Sequence, residues 1–466
     1  MAKRGLTVVI LAAGLGKRMR SALPKVLHPV LGEPMLGHVL RCAQALGPAQ
    51  IVVVTGHGRE QVEAWLAKRP ATVPVRCVEQ VNPNGTGHAL LCAQAAWQDA
   101  AEVLVLYGDV PLLRPETLQR LLLDRGERPL SLLVARVADP SGYGRVVLDG
   151  EAIARVVEHK DATETERQID AVNAGMMAVR ADFLREALAQ LRPDNAQGEL
   201  YLTDLVGIAA TAGQPGAATF VADAGEVQGV NNRAELAVAT GALRRRVNLA
   251  WLHAGVAMDE PESAWIECGV ALAADASLGA GVELRGATRV AAGARIDRGV
   301  VLTDVTVAEG AHVLAYSVAS EAVIGPNAHV GPFAHLRPGT VLAADVKVGN
   351  FVETKKARLG VGAKASHLSY LGDADIGAGS NIGAGTITCN YDGVHKFKTE
   401  LGVGVFIGSD TQLVAPVKLG DGAYVGAGTT VTRDVPAGAL AVSRTAQVNI
   451  EGWVARKKAR QGAGGH

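Results

Sequence analysis

At 466 residues the chain is too long for a single core, since domains run to roughly 150 residues, and two or three units are expected. Its 46 basic residues match 46 acidic ones, which argues against a nucleic-acid or membrane-surface binder, whose affinity rests on an excess of Lys and Arg; any anion site must be local. The five cysteines, Cys42, Cys77, Cys92, Cys268 and Cys389, are scattered, odd in number and without CxxC spacing, a pattern of reduced thiols in a cytoplasmic protein rather than of a disulfide framework or zinc site.

The first apolar run, residues 6–13, is too short for secretion or spanning and reads as a buried strand, and the rest of the chain holds no transmembrane stretch. From there to about residue 228, short apolar runs alternate with helical patterns. Strands are expected at 7–11, 50–55, 103–106 and 131–137, and helices at 34–46, 59–67, 88–95 and 115–123. This alternation implies an α/β fold, a doubly wound, Rossmann-like sheet, largely parallel, whose ligands bind beyond the carboxyl ends of strands. Residues 232–252 read as one long helix with Asn231 or Asn232 as N-cap, a bridge to the second half of the chain. The expected division is 1–230, a linker helix at 231–253, and 254–466.

After about residue 264 a period of six takes over. Steps of six from Val270 reach Ala276, Val282, Thr288, Ala294, Val300, Thr306, His312, Val318, Ile324, Val330, Leu336, Leu342 and Val348, and nine of these fourteen are Val, Ile or Leu. The period returns at Ile376 and Ile382, and again from Ile407 through Leu413, Leu419, Val425 and Val431. Gly often comes directly after the aliphatic residue, as at Val348-Gly349 and Ile407-Gly408. Three such sixes make a triangular coil with aliphatic residues inward and Gly at tight corners, and coils stack at about 4.8 Å. The expectation is a left-handed parallel β-helix of roughly ten coils. An antiparallel barrel is disfavoured, because hairpins alternate in twos. Two stretches, 354–372 and 390–399, break the period and are expected to protrude as functional loops.

The chemistry-bearing motifs begin where the first strand ends, at Leu11-Ala-Ala-Gly-Leu-Gly-Lys-Arg-Met19. A Gly-rich turn beside basic residues can cradle phosphates with backbone N–H groups. It is neither a Walker A loop nor a full GxGxxG fingerprint, since Met19 takes the third Gly position. Lys25 adds a cation, Gly85-Thr-Gly-His88 a second backbone clamp, and Tyr107-Gly-Asp-Val-Pro111 sets Asp109 just past a strand, suited to a divalent cation.

Together these motifs resemble the sugar-nucleotide pyrophosphorylases. With Gly142-Tyr-Gly-Arg145, Val157-Glu-His-Lys-Asp-Ala162, Asn173-Ala-Gly175 and Gly229-Val-Asn-Asn-Arg233, the chain more closely resembles the family of bacterial bifunctional N-acetylglucosamine-1-phosphate uridyltransferases / glucosamine-1-phosphate acetyltransferases, over nearly its whole length. It departs from that family in Lys17, where Thr is usual, and in an extra segment at 81–84. The resemblance implies that Leu11, Ala12, Ala13, Gly14, Gln80, Gly85 and Thr86 grip the uridine of UTP, beside Tyr107 and Gly108. Arg18 and Lys25 would neutralise the triphosphate, Asp109 and Asn231 would hold Mg²⁺, and Gly144, Glu158 and Asn173 would bind the amino sugar. By the same resemblance, the sugar phosphate would attack the UTP α-phosphorus in line, a step that needs positioning and charge neutralisation rather than a protein nucleophile.

A β-helix can be purely structural, but the runs Asn350–Ala357, His367–Tyr370 and Asn381–Gly393 match the acetyltransferase half of the same family. Acetyl transfer from a thioester to an amine needs a base, and neutral His suits that role near pH 7; the resemblance points to His367. It further implies that Asn390 and Ser409 position amine and thioester with Tyr391 assisting, that Arg337, Lys355, Tyr370, Asn381 and Lys396 bind the sugar phosphate, and that Ala384, Ser409, Ala427 and Arg444 line the acetyl-CoA site. A homotrimer is implied in the same way. The basic tail after Trp453 reads equally as a solvated segment or a contact for CoA phosphates.

Overall fold

In the computed structural model, which describes residues 5–69, 72–150, 152–195, 197–443 and 445–462, the first apolar run forms strand β1 (Leu6–Leu11). A hairpin of β2 (Pro29–Val30) and β3 (Glu33–Pro34) precedes α1 (Met35–Gln44). The chain continues through β4 (Gln50–Thr55), α2 (Arg59–Ala67), β5 (Val75–Glu79), α3 (Thr86–Cys92), α4 (Gln94–Trp97), β6 (Glu102–Tyr107), α5 (Pro115–Arg125) and β7 (Leu130–Arg136). It then forms β8 (Arg145–Asp149), β9 (Ala152–Val157), α6 (Glu164–Arg167), β10 (Ala171–Arg180), α7 (Ala181–Leu188), α8 (Asp204–Thr211), β11 (Gly216–Phe220) and α9 (Arg233–His253).

These strands make one nine-stranded sheet in the order β5-β4-β1-β6-β10-β7-β11-β9-β8. The first four are parallel, as the β–α alternation requires, and their central members are apolar at nearly every position because both faces are covered. Successive residues divide between two cores. Val9, Leu11, Val52, Val54, Val103 and Val105 join one, while Val8, Ile10, Ile51, Val53, Leu104 and Leu106 join the other. The sheet is less parallel than expected: β10 runs antiparallel to β6, β7 and β8, and β8 and β9 form an antiparallel hairpin. The helix expected at 88–95 is two, α3 and α4, separated at Ala93. Asn232 caps α9, its Oδ1 accepting from Glu235 N at 3.0 Å. The chain divides into two compact units, Met1–Val247 and Asn248–His466, the division falling within α9.

The second unit is a left-handed parallel β-helix. Its strands, two to four residues long, build three parallel sheets of 11, 10 and 9 strands, each strand pairing with the third one after it until the final pairing of Tyr424–Val425 with Leu440–Ala441, so that three sides close a coil. Each side turns two residues inward, as with Ala276 and Leu278 or Val346 and Val348. This explains why counting by sixes works and where it fails. Ser277 pairs with Arg295, an 18-residue coil, but Arg289 pairs with Thr306 and Arg295 with His312, coils of 17. The lost residue shifts the phase by one, so Thr306, His312 and Val318 face outward and Val305, Ala311 and Ser317 take the buried places. From Ile324 on, the count tracks the second inward position.

The same effect corrects the reading of 354–372. This stretch does not protrude: Lys347 pairs with Lys364, Glu353 with Tyr370 and Arg358 with Asp375, again at 17 residues per coil. The 390–399 stretch is a true excursion, since Asn381 pairs with Phe406, making a coil of 25. The role of Gly also differs from expectation. Many left-handed corners are taken by other residues, among them Tyr316, Phe333, Phe351 and Leu368. Gly349 instead permits close stacking, because a Cβ there would lie 2.0 Å from Ser366 O in the next coil. A last helix, α10 (Trp453–Gly462), carries the exposed basic residues Arg456, Lys457, Lys458 and Arg460. Among the described residues, no helix is long and apolar enough to cross a membrane.

Candidate functional sites

The carboxyl ends of β1 and β6 open into a cavity of about 370 Å³. Its lining unites Leu11, Ala12, Ala13, Gly14, Lys25, Gln80, Gly85, Thr86, Tyr107 and Asp109, residues drawn from four separate sequence blocks. Parallel pairing of β1 with β6 brings Leu11 level with Tyr107, and Gly108 N donates to Leu11 O at 3.0 Å, which places Asp109 beside the Gly-rich turn. Gln80, 6% exposed, donates through Nε2 to Gly85 O at 3.0 Å and ties the second clamp to the end of β5. Lys25 Nζ donates to Asp109 Oδ2 and, at 3.2 Å, to Asn231 Oδ1. An ammonium thus sits between two oxygens that converge on one point. One carboxylate and one amide oxygen form a hard, sparse donor set, which fits Mg²⁺, an ion that keeps several waters and takes phosphate oxygens. Arg18 is exposed on the turn Lys17–Met19 and is not among the lining residues.

Gly144, Glu158 and Asn173 form a second group. Arg145 pairs with Val157 of β9 and with Val172 of β10, and Asn173 N donates to Gly144 O at 2.8 Å. A Cβ on Gly144 would meet Glu158 Oε1 at 3.2 Å, so the glycine leaves that carboxylate open. Burial, then the charges of Asp161 and Asp204, push the Glu158 carboxyl above its usual range. Tyr107 links the groups: a Cβ on Gly175 would strike its ring at 2.6 Å, and the charges of Asp109 and Glu158 add to burial in raising its phenol. Size alone does not mark the site, for a cavity of about 730 Å³ between β9, α7 and α8 contains none of the expected residues.

The sequence reading missed Leu15, Val26, Pro83, Ala89 and Glu199 of the first cavity. Pro83 belongs to the extra segment at 81–84, whose position just before the Gly85 clamp was the available signal. Nothing local flags Glu199; it arrives because Gly85 packs against Glu199 and Leu200, where a Cβ would lie 2.5 Å from Leu200 O.

In the β-helix, His367 Nδ1 lies 2.9 Å from Asn350 Oδ1, one coil back in register. The amide oxygen can only accept, so Nδ1 is the donor, and Nε2 is the nitrogen left for proton exchange. The register continues: Lys364 pairs with Asn381, Asn381 with Phe406 and Phe406 with Tyr424, which aligns His367, Ala384, Ser409 and Ala427 as one column, a coil apart each. Arg444 lies outside the described residues. Asn381 begins the next strand of this same side, whereas Arg337, Lys355 and Tyr370 lie along the adjoining one. Tyr370 begins that side; Gly372 ends it, and a Cβ there would meet both Tyr370 Oη and Asn390 Nδ2. Asn390, 7% exposed, donates to Asp373 Oδ2. Lys396, and then burial, lower the Lys355 ammonium below its ordinary value, and Arg337, paired with Glu353 Oε1 at 2.8 Å, adds to this cationic patch. Tyr391 is exposed on the excursion, its hydroxyl donating to Gly393 O.

The first unit therefore defines a nucleotidyltransferase: the MobA-like NTP transferase domain family matches residues 8–199. Over the whole chain, proteins called bifunctional protein GlmU are similar. That of Sorangium cellulosum is 53% identical, covering 98% of this chain and 97% of its own; that of Alkalilimnicola ehrlichii is 52% identical over 97% and 96%; that of Trichlorobacter lovleyi is 48% identical over 97% and 98%. The chain belongs to the GlmU family of bifunctional enzymes, uridyltransferase and acetyltransferase in one polypeptide, which form UDP-N-acetylglucosamine.

Proposed function

We propose that the two groups of residues divide the synthesis of UDP-N-acetylglucosamine between them, acetyl transfer first and uridylyl transfer second. At the β-helix, glucosamine-1-phosphate is held by Arg337, Lys355, Tyr370, Asn381 and Lys396. His367 Nε2 takes the proton from its ammonium group. The freed amine attacks the thioester carbonyl of acetyl-CoA, seated along the column of Ala384, Ser409 and Ala427 with Arg444; Asn390, Ser409 and Tyr391 orient the reacting groups. The C–S bond breaks as the nitrogen sheds its second proton to water, and the thiolate recovers a proton from the imidazolium, so that the products are the amide, the CoA thiol and one released proton. The Asn350–His367 hydrogen bond is the observation that carries this reading, since a donating Nδ1 leaves Nε2 as the ring nitrogen that can take a proton.

In the first unit, UTP occupies the 370 Å³ cavity and N-acetylglucosamine-1-phosphate the group of Gly144, Glu158 and Asn173. Lys25 and Arg18 balance the charge that develops as a phosphate oxygen of the sugar attacks the α-phosphorus and pyrophosphate departs. Mg²⁺, held by Asp109 and Asn231, supplies further charge neutralisation on the phosphates. The His367 column and the Lys355 patch occupy adjoining sides of the β-helix, an arrangement that suits a site completed by a neighbouring chain in a homotrimer. The enzyme is cytoplasmic in this reading. The experiment is a one-pot conversion of glucosamine-1-phosphate, acetyl-CoA and UTP with Mg²⁺, products resolved by mass spectrometry. UDP-N-acetylglucosamine is expected; accumulation of N-acetylglucosamine-1-phosphate alone would remove the uridylyl step from this chain.

A further inference from the structure

Arg145 is a guanidinium with 1% of its surface exposed and no ion pair among the described residues. Among the described residues, none of its hydrogen bonds goes to a carboxylate. Nη1 donates to Tyr143 O, and Nη2 to His159 Nδ1 at 3.2 Å and to Arg167 O at 3.3 Å. Its Nε has no hydrogen-bond partner among the described residues. The exposed Asp139 acts on it only through space, and burying a cation with no carboxylate bonded to it is costly, so stability alone is a poor account of it.

The three acceptors lie on segments that border the amino-sugar group. Tyr143 precedes Gly144; His159 comes directly after Glu158; Arg167 ends α6, which closes the loop leaving Glu158. The backbone of Arg145 is also the meeting point of three strands, paired with Val157 and Val172, the residues just before Glu158 and Asn173. The side chain therefore ties together the flanks of Gly144 and Glu158, while the backbone of the same residue sets Asn173 in register beside them. A planar fork of five donors can span three acceptors set at different angles, which a Lys ammonium on a flexible stem cannot reproduce. The geometry points to Arg145 as a positioning residue for the sugar phosphate: it sets the spacing of Gly144, Glu158 and Asn173 without touching substrate, and the nucleotide cavity is independent of it.

This inference rests on the assignment of those three residues to the sugar, and the test separates the two. The full-length enzyme is assayed for pyrophosphate release with N-acetylglucosamine-1-phosphate and UTP varied in turn, for Arg145→Met, Arg145→Lys and, as reference, Asn173→Ala. Loss of the fork is expected to raise KM for the sugar phosphate about tenfold or more in Arg145→Met while KM for UTP stays within about twofold. Arg145→Lys falls between, and carries the test if the Met variant does not fold. An unchanged sugar KM in both Arg145 variants, or a parallel loss in both KM values and kcat, overturns the inference, the latter by showing a general structural role. If Asn173→Ala also leaves the sugar KM unchanged, the sugar pocket itself is misassigned and the inference falls with it.

Discussion

Lys25 and Asp109, 84 residues apart in sequence, form an ion pair at the mouth of the nucleotide cavity, and Asn231 completes it from a third segment. Both side chains are mostly buried, at 13% and 17% exposure. The pair holds positive charge where the oxygens of Asp109 and Asn231 converge. Lys25→Ala is expected to lower the rate of pyrophosphate release by about 10²–10³-fold, the usual cost of removing one charge-stabilising donor, with acetyl transfer unchanged. Asp109→Asn should do likewise and weaken Mn²⁺ binding measured by electron paramagnetic resonance in the presence of UTP.

Glu158 gives a prediction in pH. Its folded carboxyl titrates above the ordinary range, so the native state binds more protons than the unfolded chain in the interval between the two values. Stability therefore falls as pH rises through that interval and stays at the lower level above it. Glu158→Gln is expected to remove this loss, raising the melting temperature at neutral pH relative to the wild type while weakening the sugar phosphate. Asp204→Asn removes one of the charges that raise Glu158, so the acid limb of kcat/KM for the sugar should move to lower pH. A limb that does not move would place the titrating group elsewhere.

Gly349 tests the stacking of the coils. With its Cβ 2.0 Å from Ser366 O, Gly349→Ala forces neighbouring coils apart, at a cost of about 1–3 kcal/mol for overpacking. Calorimetry should show a lowered transition for the β-helix, with pyrophosphate release retained. Gly362→Ala, where nothing lies within 4 Å but φ is +66°, carries only the backbone penalty and is expected to cost less.

Much of the fold is legible in the sequence because burial on both faces leaves a plain record. The apolar runs of β1, β4 and β6 and the sixes of the β-helix each arise from a repeating geometry. The features that escape a sequence reading lack such a record. β5 (Val-Arg-Cys-Val-Glu) is a partly exposed edge strand with two charges, and the antiparallel entry of β10 depends on pairing partners far away in the chain. The outward turn of Thr306, His312 and Val318 comes from one residue missing in a coil, which a fixed step cannot register. In the site, the Gly-rich turn, Lys25 and Asp109 stand out as types of residue at strand ends. Glu199 and the Arg145 hydrogen bonds arise only from tertiary contact.

The central claim is that one chain carries two chemically separate sites, with His367 as the base of the second. The direct test is to measure CoA-thiol release and pyrophosphate release in parallel for the wild type, His367→Ala and Asn350→Ala. His367→Ala should lose thiol release by about 10²–10⁴-fold, as expected for a general base, with pyrophosphate release from UTP and N-acetylglucosamine-1-phosphate intact, and Asn350→Ala should show a smaller loss of the same kind. Undiminished thiol release in His367→Ala would contradict the assignment of the base, and loss of both activities together would contradict the separation of the two sites.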